Sequence, residues 1–427
     1  MYDIRPQVAY VMDRTKADPN CLRRVEAMVP AFGNPPVVAA SDGDIPDIIA
    51  KHDLHNARKR DRQIESGANP IIVFNALRLN GQDIDVDGLW AKCPKGTSKV
   101  FVQRLLGFGG ISYASSHFRG KELVCRKAYE FNTVEGCPHR CQYCPSAGES
   151  VISIALNMEE FIEEKVDPLL KANPRQKVYR FQTQASDSLC IEPEYGAVKA
   201  LVDYFAEQDD RYLLLHTKSA NADFLTDLDH KGHTIALWSL TSHTASREIE
   251  RGSGTTEERI EAARKCAAAG YPTRFKFKPI IPVRNWREET RQMIRLMFDG
   301  PRSDIISLCC MMWMKIDELE AAMDADKFDP EFIKAAHEHA DEMTGALAAP
   351  FPHHVRAEIY SFFIDEIRKY DKEVPISICT ETIAMWREFQ DRLGFGPGTY
   401  ACGCGPECPP GTEILGRDVL KEKNGAA

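Results

Sequence analysis

The chain has 427 residues, 43% of them hydrophobic, enough to bury a full core and to divide into two or three domains. Its balance of 54 Lys and Arg against 63 Asp and Glu leaves a formal net charge of −9 at pH 7. That argues against a broad cationic surface for non-specific nucleic-acid binding, although a local basic cleft remains compatible with it. The opening MYDIRPQVAYVMDR lacks the features of a secretory signal, and no apolar run approaches the ~18 residues of a membrane span. A soluble, cytoplasmic protein with no membrane partner is expected.

Residues 1–115 read as an N-terminal α/β domain. VAYVMD and IIVFNAL are strand-like, and the polar DIIAKHDLHNARKRDRQIESG between them is expected to be helical. Its basic stretch HNARKRDRQ reads as a solvated helix face rather than a nucleic-acid patch. Over residues 116–350 strand-like and helical runs alternate. The six strands lie in ELVCRKAYEFN, VYRFQT, YLLLHTK, TIALWSL, TRFKFKPII and DIISLCCMMW. They read as apolar throughout, as buried parallel strands are. Six β–α units joined by right-handed crossovers predict a partial (β/α)6 barrel of the TIM type, with its chemistry at the C-terminal strand ends. Residues 351–427 form a C-terminal extension: a helix in ETIAMWREFQDRLG, a cysteine-rich loop in GFGPGTYACGCGPECPPGTE, and a frayed polar end, LKEKNGAA.

Fourteen cysteines are many for a chain without a signal sequence, and clustered thiols in a reducing compartment more often bind metal than form disulfides. Two clusters stand out, Cys137/Cys141/Cys144 and Cys402/Cys404/Cys408. Cys21, Cys93, Cys125, Cys190, Cys266, Cys309, Cys310 and Cys379 are scattered, as buried small hydrophobes are. The CxxxCxxC loop follows the first barrel strand. Three thiolates so spaced can ligate three irons of a [4Fe–4S] cubane and leave the fourth iron open. An open iron can chelate the amino and carboxylate groups of S-adenosylmethionine, whose reductive cleavage yields a 5′-deoxyadenosyl radical. Zinc is the alternative, and His139 inside the loop is a possible competing ligand.

CxxxCxxC is also the signature of the radical S-adenosylmethionine superfamily. From about residue 7 to about residue 320 the chain resembles spore photoproduct lyase and its relatives, through RFQTQASDS, LLLHTKSANADFLTDLDHKGHT, LWSLTS and IERGSGTTEERIEAARKCAAAGY. The resemblance implies a carbon–carbon lyase that repairs a pyrimidine photolesion in DNA. It further implies a low-potential electron donor of the flavodoxin or ferredoxin type. Ser186, Lys218 and Ser239 match family positions that contact S-adenosylmethionine, and Tyr143 matches an aromatic near the adenosyl group. Two departures bear on the reaction. The family's hydrogen-donor cysteine precedes its TSD-like segment, whereas here the stretch reads Gln184-Ala185-Ser186-Asp187, and the nearest thiol, Cys190, is either a displaced catalytic hydrogen donor or a buried residue. The tyrosine after the third cluster cysteine is replaced by Pro145.

Arg274, Lys276, Lys278, Arg284 and Arg287 are the basic residues expected to meet the phosphates of a flipped lesion. In the tail, Cys402, Cys404 and Cys408 are expected to hold an auxiliary iron–sulfur cluster or zinc, with Cys379 or one of Cys309 and Cys310 as a fourth ligand. Two other functions compete with the lyase. One is a radical enzyme acting on a small molecule or peptide, favoured by the missing donor cysteine and the acidic charge. The other is a non-catalytic iron–sulfur or zinc scaffold or sensor.

Overall fold

The structure is a computed structural model that describes residues 4–56, 70–79, 84–114, 123–144, 146, 150–183 and 185–411. Most of the basic stretch HNARKRDRQ, together with Pro145, Gln184 and the terminal LKEKNGAA, lies outside the described residues. In chain order the strands are β1 (Ala9–Met12), β2 (Val37–Ala40), β3 (Ile71–Asn75), β4 (Gly110–Ala114), β5 (Leu123–Val124), β6 (Ala128–Asn132), β7 (Val134–Glu135) and β8 (Val151–Ala155). They continue with β9 (Val178–Phe181), β10 (Tyr212–Thr217), β11 (Thr234–Leu240), β12 (Thr273–Ile280), β13 (Ile306–Cys310), β14 (Ile376–Ile378) and β15 (Glu381–Thr382).

Two large sheets carry the molecule. The smaller has the order β2-β1-β3-β8-β7 and the larger β14-β13-β12-β11-β10-β9-β6-β4. All neighbours from β6 to β14 in the larger sheet are parallel, and β4 closes its edge antiparallel to β6. The six expected strands are present. β14 and β4 extend the sheet at either end, which the sequence pattern did not reveal. The sheets also exchange strands across the expected boundary at 115/116. β4, from before it, lies beside β6, while β8, from after it, lies between β3 and β7.

One expectation needs correction. The strands of the larger sheet are not apolar throughout; they alternate, and both faces are buried. One face carries Tyr179, Phe181, Leu213, Leu215, Trp238, Phe275, Phe277 and Leu308, all at or below 1% exposure. It meets the helices: Tyr179 lies 6.1 Å from Phe205 of helix Ala197–Ala206, and Phe277 lies 5.3 Å from Phe363 of helix His353–Tyr370. Because side chains alternate with period two, the intervening residues share the opposite face. These include Glu130, Arg180, His216, Ser239, Arg274, Lys276, Ser307, Cys309 and Ser377, brought level by the parallel register. The sheet therefore has a greasy outer face and a polar inner one.

The tail covers that inner face at the N-terminal ends of the strands. The Pro406 carbonyl accepts from the Lys177 and Val178 N–H groups at 2.8 and 3.0 Å. Arg180 donates to the Cys404 carbonyl (2.8 Å), Arg274 donates to the Gly403 carbonyl (2.9 Å), and the Gly403 N–H reaches Ser307 Oγ at 3.3 Å. Buried guanidinium groups need acceptors, and the loop's carbonyls supply them. No described helix is long and apolar enough to cross a membrane.

Candidate active site

Between β6 and β7 the chain passes from the larger sheet to the smaller, and the CxxxCxxC loop follows at that seam. It lies beside the C-terminal ends of β6 and β9, the face on which barrel-type sheets build their sites. Gly136 starts the loop with φ of +90°, and a side chain there would sit 2.5 Å from the Val151 carbonyl. Its own backbone ties the loop to the turn after β9: the Gly136 N–H donates to Ala185 O at 3.2 Å, and Ser186 Oγ donates to Gly136 O at 2.7 Å. A second segment grips the loop from the other side. Gln142 N–H donates to Ile249 O (3.1 Å), Gly252 N–H donates to His139 O (3.1 Å), and His139 Nδ1 meets Gly252 O (2.8 Å). Any side chain at Gly252 would collide with the His139 carbonyl at 2.5 Å.

His139 is thereby occupied. Its other ring nitrogen lies 3.5 Å from Asp187 Oδ1. Burial alone would raise the Asp187 carboxyl, but His139, the Leu189 N–H and the Thr217 hydroxyl hold it well below the usual carboxylate range. Asp187 also accepts the Lys218 N–H at 2.7 Å, so it fixes the turn after β10 as well. It is a positioning group for two strand ends, and it faces His139 Nε2 as a charge partner at 3.5 Å. Of the loop's soft donors, the thiols of Cys137, Cys141 and Cys144 remain.

Glu250 is the hub of the site. It is fully buried and receives Arg259 Nη2 (2.6 Å), the Thr241 hydroxyl (2.9 Å), the Tyr143 hydroxyl and Lys218 Nζ (3.2 Å). Burial opposes its charge, yet Lys218 and Arg259 hold its carboxyl down at about 2. Arg259 itself has no exposed surface and also binds the carbonyls of Gly254 and Ser239. It projects from helix Thr256–Ala268, whose first turn is fixed by a capping box between Thr255 and Glu258. Sequence reading missed His139 as a brace, Asp187, Glu250 and Arg259. The signal was present in IERGSGTTEERIEAARK, but nothing local marks Glu250 and Arg259 as a buried pair.

The structure brings together most of the expected site. Tyr143 and Lys218 both bond Glu250, and Lys218 Nζ also donates to the Lys278 carbonyl at 2.6 Å. Ser186 sits against the start of the cysteine loop. Ser239 lies deeper on the inner face, 2.7 Å from His216 Nε2; burial and the neighbouring Lys276, Lys278 and Lys218 keep that imidazole neutral. Cys190 is buried within hydrogen-bonding reach of Cys137, with its sulfur 3.5 Å from Ser186 Oγ. It therefore sits behind the cluster loop. Cys402, Cys404 and Cys408 belong to the tail loop on the inner face, apart from this mouth.

The expected phosphate set is largely dismantled. Arg274 has no exposed surface and pairs with Asp304 at 2.6 and 2.7 Å, and Lys276 is 2% exposed. They occupy the second and fourth positions of an eight-residue strand, inside the fold. Arg287 pairs with Glu358, and Arg284 faces Asp326 at 3.7 Å. Lys278 stands over the Trp313 ring at 4.9 Å.

All fourteen cysteines are free thiols, and among the described residues no group of three Cys, His, Asp or Glu side chains is already set to hold a metal ion. The fit of an iron–sulfur cluster to the loop therefore rests on donor chemistry. Three thiols lie on one short loop, the Nδ1 of its histidine is held by the Gly252 carbonyl, and the neighbouring Asp187 and Glu250 are bonded elsewhere.

Residues 125–304 match the spore photoproduct lyase family. The spore photoproduct lyase of Clostridium acetobutylicum is 25% identical over 214 residues, which cover 46% of this chain and 63% of that protein. The Bacillus subtilis enzyme is 29% identical over 170 residues, covering 39% and 49% respectively. The alignments thus span about half to just under two thirds of these relatives. Among solved structures, a spore photoproduct lyase complexed with dinucleoside spore photoproduct superposes with a TM-score of 0.57 at 14% identity, covering 88% of this chain and 98% of that one. A mutant with bound AdoMet and dinucleoside spore photoproduct gives the same TM-score and coverage. The shared architecture is a mixed α/β fold with parallel sheets.

Proposed function

We propose that this chain, which carries a spore photoproduct lyase-family domain of the radical S-adenosylmethionine superfamily, is a radical enzyme built on a partial barrel formed by its larger sheet. Its Cys137, Cys141 and Cys144 would hold a [4Fe–4S] cluster, and its reaction would be reversal of a pyrimidine photolesion in DNA. The observation that carries the reading is convergence at one strand-end mouth. The cysteine loop, Ser186, Tyr143 and Lys218 are joined there through Glu250 and Asp187. When bound, the cluster and S-adenosylmethionine would supply one-electron cleavage of a sulfonium carbon–sulfur bond. An electron donor of the flavodoxin or ferredoxin type would feed it. The solved spore photoproduct lyase structures that hold dinucleoside spore photoproduct support the choice of substrate.

The chain's own residues prepare the site. Glu250 spends its charge on Arg259 and Lys218, so Lys218 is held at the mouth with its ammonium aimed. Two of its hydrogens meet Glu250 and the Lys278 carbonyl, and the third is available for the carboxylate of a cosubstrate. Ser186 orients Gly136 at the start of the loop, and the Tyr143 hydroxyl ties the loop to Glu250. Ser239, bonded to a neutral His216, presents a hydroxyl below the mouth. The domain limits follow the fold only loosely: an N-terminal α/β part to about residue 115, the barrel to about 350, and the tail. A reducing cytoplasm suits fourteen free thiols.

A second substrate class, a small molecule or peptide, is favoured by one observation: Arg274 and Lys276 lie inside the fold, and Arg284 and Arg287 face acids. The test is anaerobic turnover with reductant. UV-irradiated oligonucleotide should raise 5′-deoxyadenosine formation over intact oligonucleotide, and its binding should weaken steeply with salt. If neither oligonucleotide binds at low salt, or irradiation changes nothing, the DNA substrate is wrong.

A further inference from the structure

The tail does more than cover the inner face. It delivers two thiols into a set that already contains two others. Cys309 is the fourth residue of β13, and Cys379 immediately follows β14; both point to the inner face and both are buried. Cys379 lies within hydrogen-bonding reach of Cys309 on one side and of Cys402 on the other. Cys402 Sγ and Cys404 Sγ are 3.7 Å apart. The sulfurs run in the order Cys309, Cys379, Cys402, Cys404. They come from two adjacent strand ends and one loop that folding brings to them.

Lys276 is the second, independent observation. It is 2% exposed, and its one hydrogen-bond partner among the described residues is Cys404 Sγ, at 3.5 Å. A lysine head group buried against sulfur has the right sign for thiolates and the wrong environment for neutral thiols, since a buried ammonium needs an anionic partner. The surrounding contacts seat the loop in the manner of outer-shell bonds around a metal. Ser307 and Ser377 share a hydrogen bond at 2.9 Å, Ser307 accepts Gly403 N–H, and Arg180 and Arg274 hold the carbonyls of Cys404 and Gly403. Cys408 packs with Ile305 and Ala401, and its sulfur is bonded by the Cys402 backbone N–H rather than by another thiol.

We propose that Cys309, Cys379, Cys402 and Cys404 ligate a second, thiolate-held metal centre on the inner face of the larger sheet, with Lys276 as its charge partner and without Cys408. This set keeps Cys402 and Cys404 of the expected trio and takes both Cys309 and Cys379 in place of Cys408. The occupant is a thiophilic metal, as one ion with bonds of about 2.3 Å to sulfur or as an iron–sulfur cluster. Ligation requires the chain of sulfurs to close around it. Two antiparallel demands are met at once: four negative donors in a dry interior, and a cation already beside them.

The test uses the full chain with Cys137, Cys141 and Cys144 all replaced by Ala, so that the mouth cannot contribute metal and failure of the proposed activity cannot be confused with failure of this centre. Anaerobic reconstitution with ferrous iron and sulfide, and separately with zinc, is followed by removal of loose metal. We expect one centre per chain, with iron plus acid-labile sulfide identifying a cluster and a single ion identifying a mononuclear site. Adding Cys379→Ser and Cys404→Ser should reduce the metal to background, and Cys408→Ser should leave it in place. X-ray absorption on the parent needs no further substitution and should give a shell of sulfur alone. Absence of stoichiometric metal overturns the proposal, as does a nitrogen- or oxygen-dominated shell. Metal that depends on Cys408 but not on Cys379 would overturn it equally.

Discussion

The molecule holds two sets of thiols, and they are built in opposite ways. At the mouth, three cysteines lie within eight residues of one loop, and the fold's effort goes into bracing that loop from outside, through His139, Asp187 and Gly252. On the inner face, four cysteines come from three places in the chain and are collected by register and by the tail. The first set is local in sequence and dependent on its frame. The second is dispersed, and the tertiary structure is what defines it. At the mouth Cys137 and Cys144 are partly accessible and Cys141 is buried, whereas all four thiols below it are sealed.

The sharpest break between the two sets is expected from the mouth cysteines. Replacing Cys137, Cys141 and Cys144 with Ala should abolish 5′-deoxyadenosine formation under dithionite while the tail still docks, as judged by limited proteolysis of the C-terminal segment. Cosubstrate cleavage by the triple variant would remove the assignment. Next comes the frame. Gly252→Val places carbon where the His139 carbonyl stands, so the loop must leave its seat. Iron bound at the mouth should drop severalfold or more, with metal on the inner face retained. Equal loss from both sets would mean that the two are not independently held.

Glu250 tests the frame electrostatically. Its carboxyl lies at about 2 in the folded chain against an ordinary 4.5. Because the folded value is the lower one, the stabilisation is complete above pH 4.5 and disappears as pH falls toward 2. A fall from 4.5 to about 2 corresponds to about 3 kcal/mol. Glu250→Gln should therefore cost about 3 kcal/mol at pH 7 in denaturant melts and should flatten the acid limb between pH 4.5 and 2. An unchanged acid limb would show that Arg259 and Lys218 are satisfied without it. The smallest effect is at Lys218. Lys218→Ala should weaken S-adenosylmethionine binding about tenfold to a hundredfold, the value of a charge-assisted hydrogen bond of roughly 1.5–3 kcal/mol. Iron at the mouth should stay unchanged, and calorimetry showing equal affinity would take Lys218 out of the pocket.

What could be read from the sequence follows the same division. CxxxCxxC is contiguous, so spacing alone pointed to its chemistry, and the six expected strands of the larger sheet were legible because each carries several apolar residues in a short run. The inner face was misread because Arg274 and Lys276 stand between Phe275 and Phe277, and position within a strand, rather than charge, decides that they point inward. VISIALN was overlooked as a strand because its partner, β3, lies more than seventy residues earlier, in what looked like a separate domain. Cys309 and Cys379 were available as candidates, but only pairing of β13 with β14 brings them level. Glu250 and Arg259 are nine residues apart across a turn, a separation that carries no periodic signal.

The tail has a consequence for how the protein is made. Residues 400–408 bond to the starts of β9, β12 and β13, whose bonded residues leave the ribosome between 96 and 224 or more residues earlier. Until then Arg180, Arg274 and Lys276 face an uncovered interior. Since domains fold as the chain emerges, the larger sheet must wait, partly open, for its last segment. A nascent chain halted before Tyr400 is therefore expected to expose a cationic interior in which Arg180 and Arg274 lack the tail carbonyls, and purified protein clipped there should be recognised by chaperones as unfinished.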